Sequence, residues 1–236
     1  MEKSIKEGKK MEQKGKLFVI DGTDGSGKQT QFERLVKRLK EDGVDYRTVS
    51  FPNYDSPSSG LVKMYLSGEF GTNAKEISPY IASTFYAADR YATYKTQLES
   101  YYQNGGLILA DRYTTANMIH QAGKIKEKEE RKKFLDWLWD FEFRLYGLPI
   151  PTECFFLKMD PNHAFQLMEN RENKFSHTQE KDIHERDKNH IIDSYEAACD
   201  VAKDYGWYVV DCVKNNQIRT IDEIHEEIYT EIKKHI

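Results

Sequence analysis

The stretch Gly22-Thr23-Asp24-Gly25-Ser26-Gly27-Lys28, directly after the apolar run Leu17-Phe18-Val19-Ile20, constrains this chain more than any other. Glycine, four residues, glycine and lysine, set between a strand and a helix, form the pattern of a phosphate-binding loop. Leu17 to Asp21 is short, apolar and partly β-branched, as a buried parallel strand is. From Lys28 onward Phe32, Leu35, Val36 and Leu39 fall on one helical stripe. The glycines let backbone N–H groups turn inward, the helix N-terminus adds a positive dipole end, and Lys28 supplies a cation for the outer phosphates. The competing reading, a chance glycine-rich turn, does not account for the strand before it and the helix after it. One residue departs from the pattern. After the lysine a Ser or Thr hydroxyl usually meets magnesium, but here Gln29 stands first and Thr30 second, and either oxygen is a candidate.

At 236 residues, with 39% hydrophobic and 31% charged residues, the chain is read as a single domain over residues 16–236 with a substantial core. A formal charge of −4 and a pI near 6.0 argue against a general nucleic-acid binder, which is usually basic. Cys154, Cys199 and Cys212 are odd in number and scattered, which suits a reducing cytoplasm and neither a disulfide framework nor a zinc site. No apolar run approaches the roughly 20 residues needed to span a bilayer. Residues 1–15 are rich in Lys and Glu without an apolar centre, and read as a disordered extension rather than a signal peptide.

Further strands are expected at Tyr46–Ser50, Leu107–Asp111, Cys154–Leu157 and Trp207–Asp211, alternating with helices. That alternation predicts an α/β fold: a five-stranded parallel sheet with helices on both faces. Phe51-Pro52 opens a loop after the second strand, where ligands bind in open α/β sheets. Ser78-Pro79 starts a helix with an expected core stripe of Ile81, Phe85, Ala88 and Ala92. Tyr86 and Arg90, four apart, share another face. They suit stacking on a base and reading its edge, or equally a surface ring covered by a cation. Asp111 ends its strand where an acid that positions magnesium usually sits, with Arg112 next to it. Asn117, His120 and Gln121 form a polar cluster near the same mouth. Lys124–Lys133 reads as a solvated helix face. Phe134, Trp137, Leu138, Phe141 and Leu145 read as a core stripe or a subunit contact. Glu172–Lys188 is polar and aperiodic, and in a phosphate-transfer enzyme reads as a lid.

Taken together, these residues resemble the thymidylate kinase family of P-loop nucleoside monophosphate kinases. The resemblance rests on the Gly22–Thr30 loop with its Asp24, Phe51-Pro52, Tyr86-Ala-Ala-Asp-Arg90, Asp111-Arg112-Tyr113 and Gly147-Leu-Pro-Ile-Pro151, in order from Phe18 to about Asp211. It implies phosphoryl transfer from Mg-ATP to dTMP, giving dTDP and ADP, by a homodimer with no nucleic-acid or membrane partner. On that resemblance Gly22, Thr23, Asp24, Gly25, Ser26, Gly27, Lys28, Gln29 and Thr30 bind ATP. Lys28, Asp111, Arg112 and Arg171 form the catalytic set, and Asp111 with Thr30 holds Mg2+. Asp24, Phe51, Tyr86, Arg90, Arg112, Asn117, His120, Gln121 and Glu185 line the acceptor site, with Tyr86 stacking on thymine and Arg90 reading its O4. The lid spans about 171–188.

The chain departs from the family pattern at Gln29, at Tyr86 (more often Phe), and at His120, where a Tyr or Phe usually lies near the deoxyribose. Its lid is poor in arginine, with Lys174, Lys181 and Arg186 after Arg171. Rival readings are a kinase of the same architecture acting on dUMP, UMP or a nucleoside, and a GTPase-like switch or ATP-binding regulatory module with no acceptor. No Asn-Lys-x-Asp guanine-reading element supports the switch.

Overall fold

The computed structural model describes residues 15–71, 73, 76–172 and 188–236, with the backbone alone for 169–172 and 188. Apart from Gly15, the N-terminal extension lies outside the described residues, as does most of the expected lid, with Lys174, Lys181, Glu185 and Arg186. Gly15 is buried, and a Cβ there would lie 2.6 Å from the Gly106 oxygen, so it packs closely against the turn before Leu107.

The elements run β1 (Lys16–Asp21), α1 (Lys28–Glu41), β2 (Arg47–Ser50), α2 (Gly60–Ser67), α3 (Pro79–Thr93), α4 (Glu99–Gln103), β3 (Leu107–Asp111), α5 (Thr114–His120), α6 (Lys128–Trp139), β4 (Glu153–Lys158), α7 (Pro161–Glu172), α8 (Lys188–Asp204), β5 (Tyr208–Asp211), β6 (Val213–Lys214), β7 (Gln217–Ile218) and α9 (Ile221–Lys233). The main sheet has the order β2-β3-β1-β4-β5, and all four strand pairings are parallel. Because side chains alternate along a strand, Phe18 and Ile20 join Leu35, Leu39, Ile224 and Ile228 on the α1 and α9 face. Leu17 and Val19 join Tyr94, Leu98 and Tyr102 on the other. Both faces are covered, which is why β1 reads as a continuous apolar run.

Two expectations about helices are corrected. The core face of α3 is Ala82, Ala87, Arg90 and Thr93, while Ile81 is exposed, as is Ala88. The helix turns a mixed face inward because it packs on the polar loop after β2. There Asp89, itself buried, accepts from the Asn53 N–H at 2.8 Å and from the Ser58 hydroxyl. The run Lys124–Lys133 is not wholly a solvated face either. Lys124 ends a 3-10 turn over Ala122–Lys124 and donates to the Tyr65 hydroxyl at 2.7 Å. The β6–β7 hairpin, turned by Asn215 and Asn216 with φ of 52° and 58°, adds a small antiparallel pair unforeseen in the sequence.

Candidate active site

Three strand ends meet at the carboxyl edge of the sheet, the place where α/β sheets bind ligands. Parallel pairing sets Ile20 and Ser50 opposite Asp111. The Arg112 N–H donates to the Ile20 carbonyl at 3.1 Å and the Phe51 N–H to the Asp111 carbonyl at 3.0 Å. The glycine loop, the Phe51-Pro52 loop and the Asp-Arg-Tyr turn are therefore neighbours.

The loop follows β1 directly. Asp21 is buried, accepts from the Gly22 N–H at 2.8 Å and from the Thr115 hydroxyl, and so ties the loop root to α5. Gly25 has φ +79°, and a Cβ there would come within 2.7 Å of the Ala164 oxygen. Only glycine admits α7, the root of the expected lid, so close to the loop. Lys28 begins α1, and its Nζ donates to the carbonyls of Gly22 at 2.9 Å and Thr23 at 2.7 Å. It lies 3.8 Å from the Asp24 carboxylate. Burial and then Arg112 bring the Lys28 amine down to about 8, against the pull of Asp24.

Arg112 reaches Asp24 with a 2.7 Å hydrogen bond from Nη2. Its backbone is left-handed, with φ 64°, a conformation uncommon outside glycine and one that turns the side chain back toward the loop. Burial would raise the Asp24 carboxyl, but Arg112 and Lys28 outweigh it and hold Asp24 well below the usual carboxylate range. Arg112 in turn is held above its ordinary value by Asp24, Asp21 and Asp111, which outweigh its own burial. Asp111 is half-buried, and its Oδ2 accepts from Ser50 at 3.2 Å. Thr30 is exposed, and Gln29 donates to Glu33 at 2.9 Å.

Behind the Asp-Arg-Tyr turn stands a different arrangement. Arg90 is 1% exposed and donates from Nε at 2.6 Å and from Nη2 at 2.5 Å to the two oxygens of Glu142. Its Nη1 reaches the Tyr113 carbonyl at 3.3 Å, and the Thr114 hydroxyl donates to Glu142 at 2.7 Å. Thr114, Asn117 and Gln121 follow at three- and four-residue steps along one side of α5 and its extension. Asn117 Nδ2 and Gln121 Oε1 are buried without a hydrogen-bond partner among the described residues. Buried polar atoms are normally satisfied, so this unmet donor and acceptor point to a ligand. Tyr86 sits edge-on to Tyr65, ring centroids 6.2 Å apart. Phe51 is buried and packs on Tyr113 at 5.7 Å, which puts it under the turn that Arg90 grips. His120 stacks on His190 of α8, at 5.8 Å and 28°. Burial pushes its imidazole well below the ordinary value although Asp24 pulls the other way.

Of the residues expected from the sequence, the structure gathers Asp24, Lys28, Asp111 and Arg112 at one end, and Arg90, Asn117 and Gln121 at the other. His120 lies in the electrostatic reach of Asp24. Arg171 is placed in backbone only, as part of α7, and Glu185 lies outside the described residues. Sequence reading missed Glu142, Thr114, Asp89, His190 and the Asp21–Thr115 bond. One signal was available for Glu142. It sits four residues beyond Leu138 and eight beyond Phe134, a carboxylate on a core stripe, and such a residue is buried only when paired.

A glycine loop closed by Lys28 at the carboxyl edge of a parallel sheet places the chain among the P-loop phosphotransferases. It belongs to the thymidylate kinase family, whose model matches residues 20–228. The chain is 25% identical over 222 residues to a thymidylate kinase of Plasmodium falciparum, covering 94% of this chain and 91% of that one. It is 30% identical over 136 residues to one of Mycobacterium tuberculosis, covering 57% and 62%. A solved thymidylate kinase from Candida albicans shares the fold, with a TM-score of 0.66 at 20% identity over 94% of this chain and 92% of that one.

Proposed function

We infer that the chain carries out its family's reaction, ATP-dependent phosphorylation of dTMP, with residues 16–236 as one kinase domain and a lid at about 171–188. The observation that carries the residue assignment is the contrast at the two ends of the crevice: exchangeable cations beside the glycine loop, and a charge-cancelled arginine beside unmet hydrogen-bonding groups. Lys28 holds two neutral carbonyls that a phosphate can replace, and the loop N–H groups with the α1 N-terminus complete a cradle for the ATP phosphates. Arg112, tethered to Asp24 by one hydrogen bond, keeps further N–H groups for the transferring phosphoryl and the acceptor phosphate. The acceptor oxygen is already anionic, so no general base is required, and positioning with charge neutralisation supplies the rate.

At the other end Tyr86 offers its ring face to the thymine. Arg90 donates to O4, and the Asn117 and Gln121 amides meet the adjoining ring edge. A cytosine presents an amino donor where thymine presents O4, so its selection against dTMP costs the site a hydrogen bond, on the order of 1–3 kcal/mol. His120, neutral and buried within the electrostatic reach of Asp24, is assigned to the deoxyribose. Arg171, Lys174, Lys181, Arg186 and Glu185 are assigned to the lid that covers the phosphates.

The donor set fits magnesium. Asp111 offers a strand-end carboxylate beside the phosphate cradle, and Thr30 a hydroxyl on the first turn of α1, hard oxygens of the kind this ion takes together with water and phosphate. The metal's contribution when bound is to neutralise phosphate charge. We also assign a homodimer, on the exposed Leu145 (60%) and Tyr91 (40%) beside the Tyr91–Tyr146 ring contact at 5.0 Å. Leu145→Glu is expected to shift the sedimentation coefficient to that of a monomer. No described helix is long and apolar enough to cross a membrane, and the free cysteines suit the cytoplasm.

The deciding experiment is ADP release from Mg-ATP with dTMP, dUMP, UMP, dCMP or no acceptor. Strong preference for dTMP is expected. ADP release at one rate with every acceptor and with none would remove the acceptor site from the assignment.

A further inference from the structure

The Arg90–Glu142 pair has a consequence for which acceptor this site takes. Glu142 lies in the π-helical stretch Asp140–Leu145 that continues α6, and its side chain is 0% exposed. It accepts from Arg90 Nε and Nη2 and from the Thr114 hydroxyl, so it holds groups from two other elements, α3 and α5. Tyr113, whose carbonyl takes a third Arg90 donor, is the residue between Arg112 and Thr114. A guanidinium has five N–H groups. Two go to Glu142 and one to Tyr113, so two remain, one on each terminal nitrogen.

We propose that Glu142 is the positioning residue that sets base specificity. Its carboxylate cancels the Arg90 charge and turns the two remaining N–H groups toward the neutral carbonyl edge of the acceptor base. This rests on the assignment of Arg90 as the base reader. A bidentate pair fixes a guanidinium plane as well as its charge. Uncompensated, a buried Arg90 would be a strong site for any anion, including the acceptor's own phosphate entering in the wrong orientation. Compensated by Glu142, the pair ranks ligands by hydrogen bonding alone. The phosphate end of the crevice, where charge has to be met, keeps its cations less tightly engaged.

Two variants separate this role from a purely structural one. Glu142→Asp keeps the charge and draws the guanidinium back by one methylene. The ratio of kcat/KM for dTMP to that for dCMP is expected to fall about tenfold, through the KM for dTMP, with the KM for ATP within about twofold of the parent. Glu142→Gln keeps the length and removes the charge. There inorganic phosphate is expected to become a competitive inhibitor against dTMP, at concentrations that leave the parent and Glu142→Asp enzymes unaffected. Folding of both variants is followed by circular dichroism. Should Glu142→Gln fail to fold, the Glu142→Asp selectivity still decides. A folded Glu142→Asp enzyme with its dTMP-to-dCMP ratio within about twofold of the parent overturns the proposal. So does a folded Glu142→Gln enzyme that shows no competition by phosphate. If the parent enzyme releases ADP without any acceptor, the kinase reading itself fails. If it uses dTMP and dCMP equally, Arg90 does not read the base and the role of Glu142 falls with it.

Discussion

The two ends of the crevice hold arginines in opposite ways. Arg112 makes one 2.7 Å bond to a carboxylate with its side chain 31% exposed, from a backbone position that few non-glycine residues adopt. Arg90 is locked by both oxygens of a carboxylate that no water reaches. Lys28, beside Arg112, is satisfied by two carbonyls and only loosely by Asp24. On the proposed assignment, the difference is how one protein would handle a nucleotide's two chemistries. A polyanion needs cations that exchange partners, whereas a neutral ring needs donors whose charge has been removed in advance and whose direction is fixed.

Four substitutions or titrations test that contrast, the largest effect first. Arg90→Ala leaves Glu142 buried and uncompensated, which costs about 3–5 kcal/mol. Calorimetry is expected to show the melting temperature falling by roughly 10 °C. A fall of a degree or two would mean the pair is less enclosed than its geometry states. Lys28→Ala should act the other way round. Its kcat is expected to drop by about 10²–10³, while the melting temperature barely moves, because its main partners are carbonyls that water can satisfy.

The third test is pH. Lys28 titrates at about 8 in the folded protein against an ordinary 10.5, so kcat/KM for ATP is expected to fall about tenfold per unit above that value. The sign for stability is opposite. Between the two values the unfolded chain binds more protons than the folded one, so this group's contribution to stability rises with pH while activity declines. A flat profile to pH 10 would show that the amine keeps its proton. The smallest effect belongs to Lys124, which burial brings down from 10.5 to about 7. Lys124→Met is expected to raise stability slightly. That gain grows as pH falls from about 10 to 7 and is constant below, since the folded state must then charge a desolvated amine that the unfolded state holds charged in water.

The phosphate end was the more legible in the sequence. Its glycines, Lys28, Asp24, Asp111 and Arg112 sit in two contiguous stretches, each at the end of a strand whose apolar run announces it. The proposed base end was suggested only by the resemblance, because Tyr86 and Arg90 taken alone fit a solvent-facing pair as well. The core stripe expected on α3 went wrong for a related reason. Apolar periodicity assumes an apolar neighbour, and α3 packs instead on a polar loop through Asp89 and on Glu142 through Arg90.

By itself, then, the sequence determined the α/β alternation, the five strands, the glycine loop and the strand-end acid and base, all properties of residues close together in the chain. Tertiary structure alone decided that Arg90 faces inward, that Glu142 from a helix 52 residues away cancels its charge, and that His190 lies against His120. Those pairings join residues from separate helices. Whether a charge there is a surface ornament or the centre of a recognition site depends on which desolvated partner the fold brings to it.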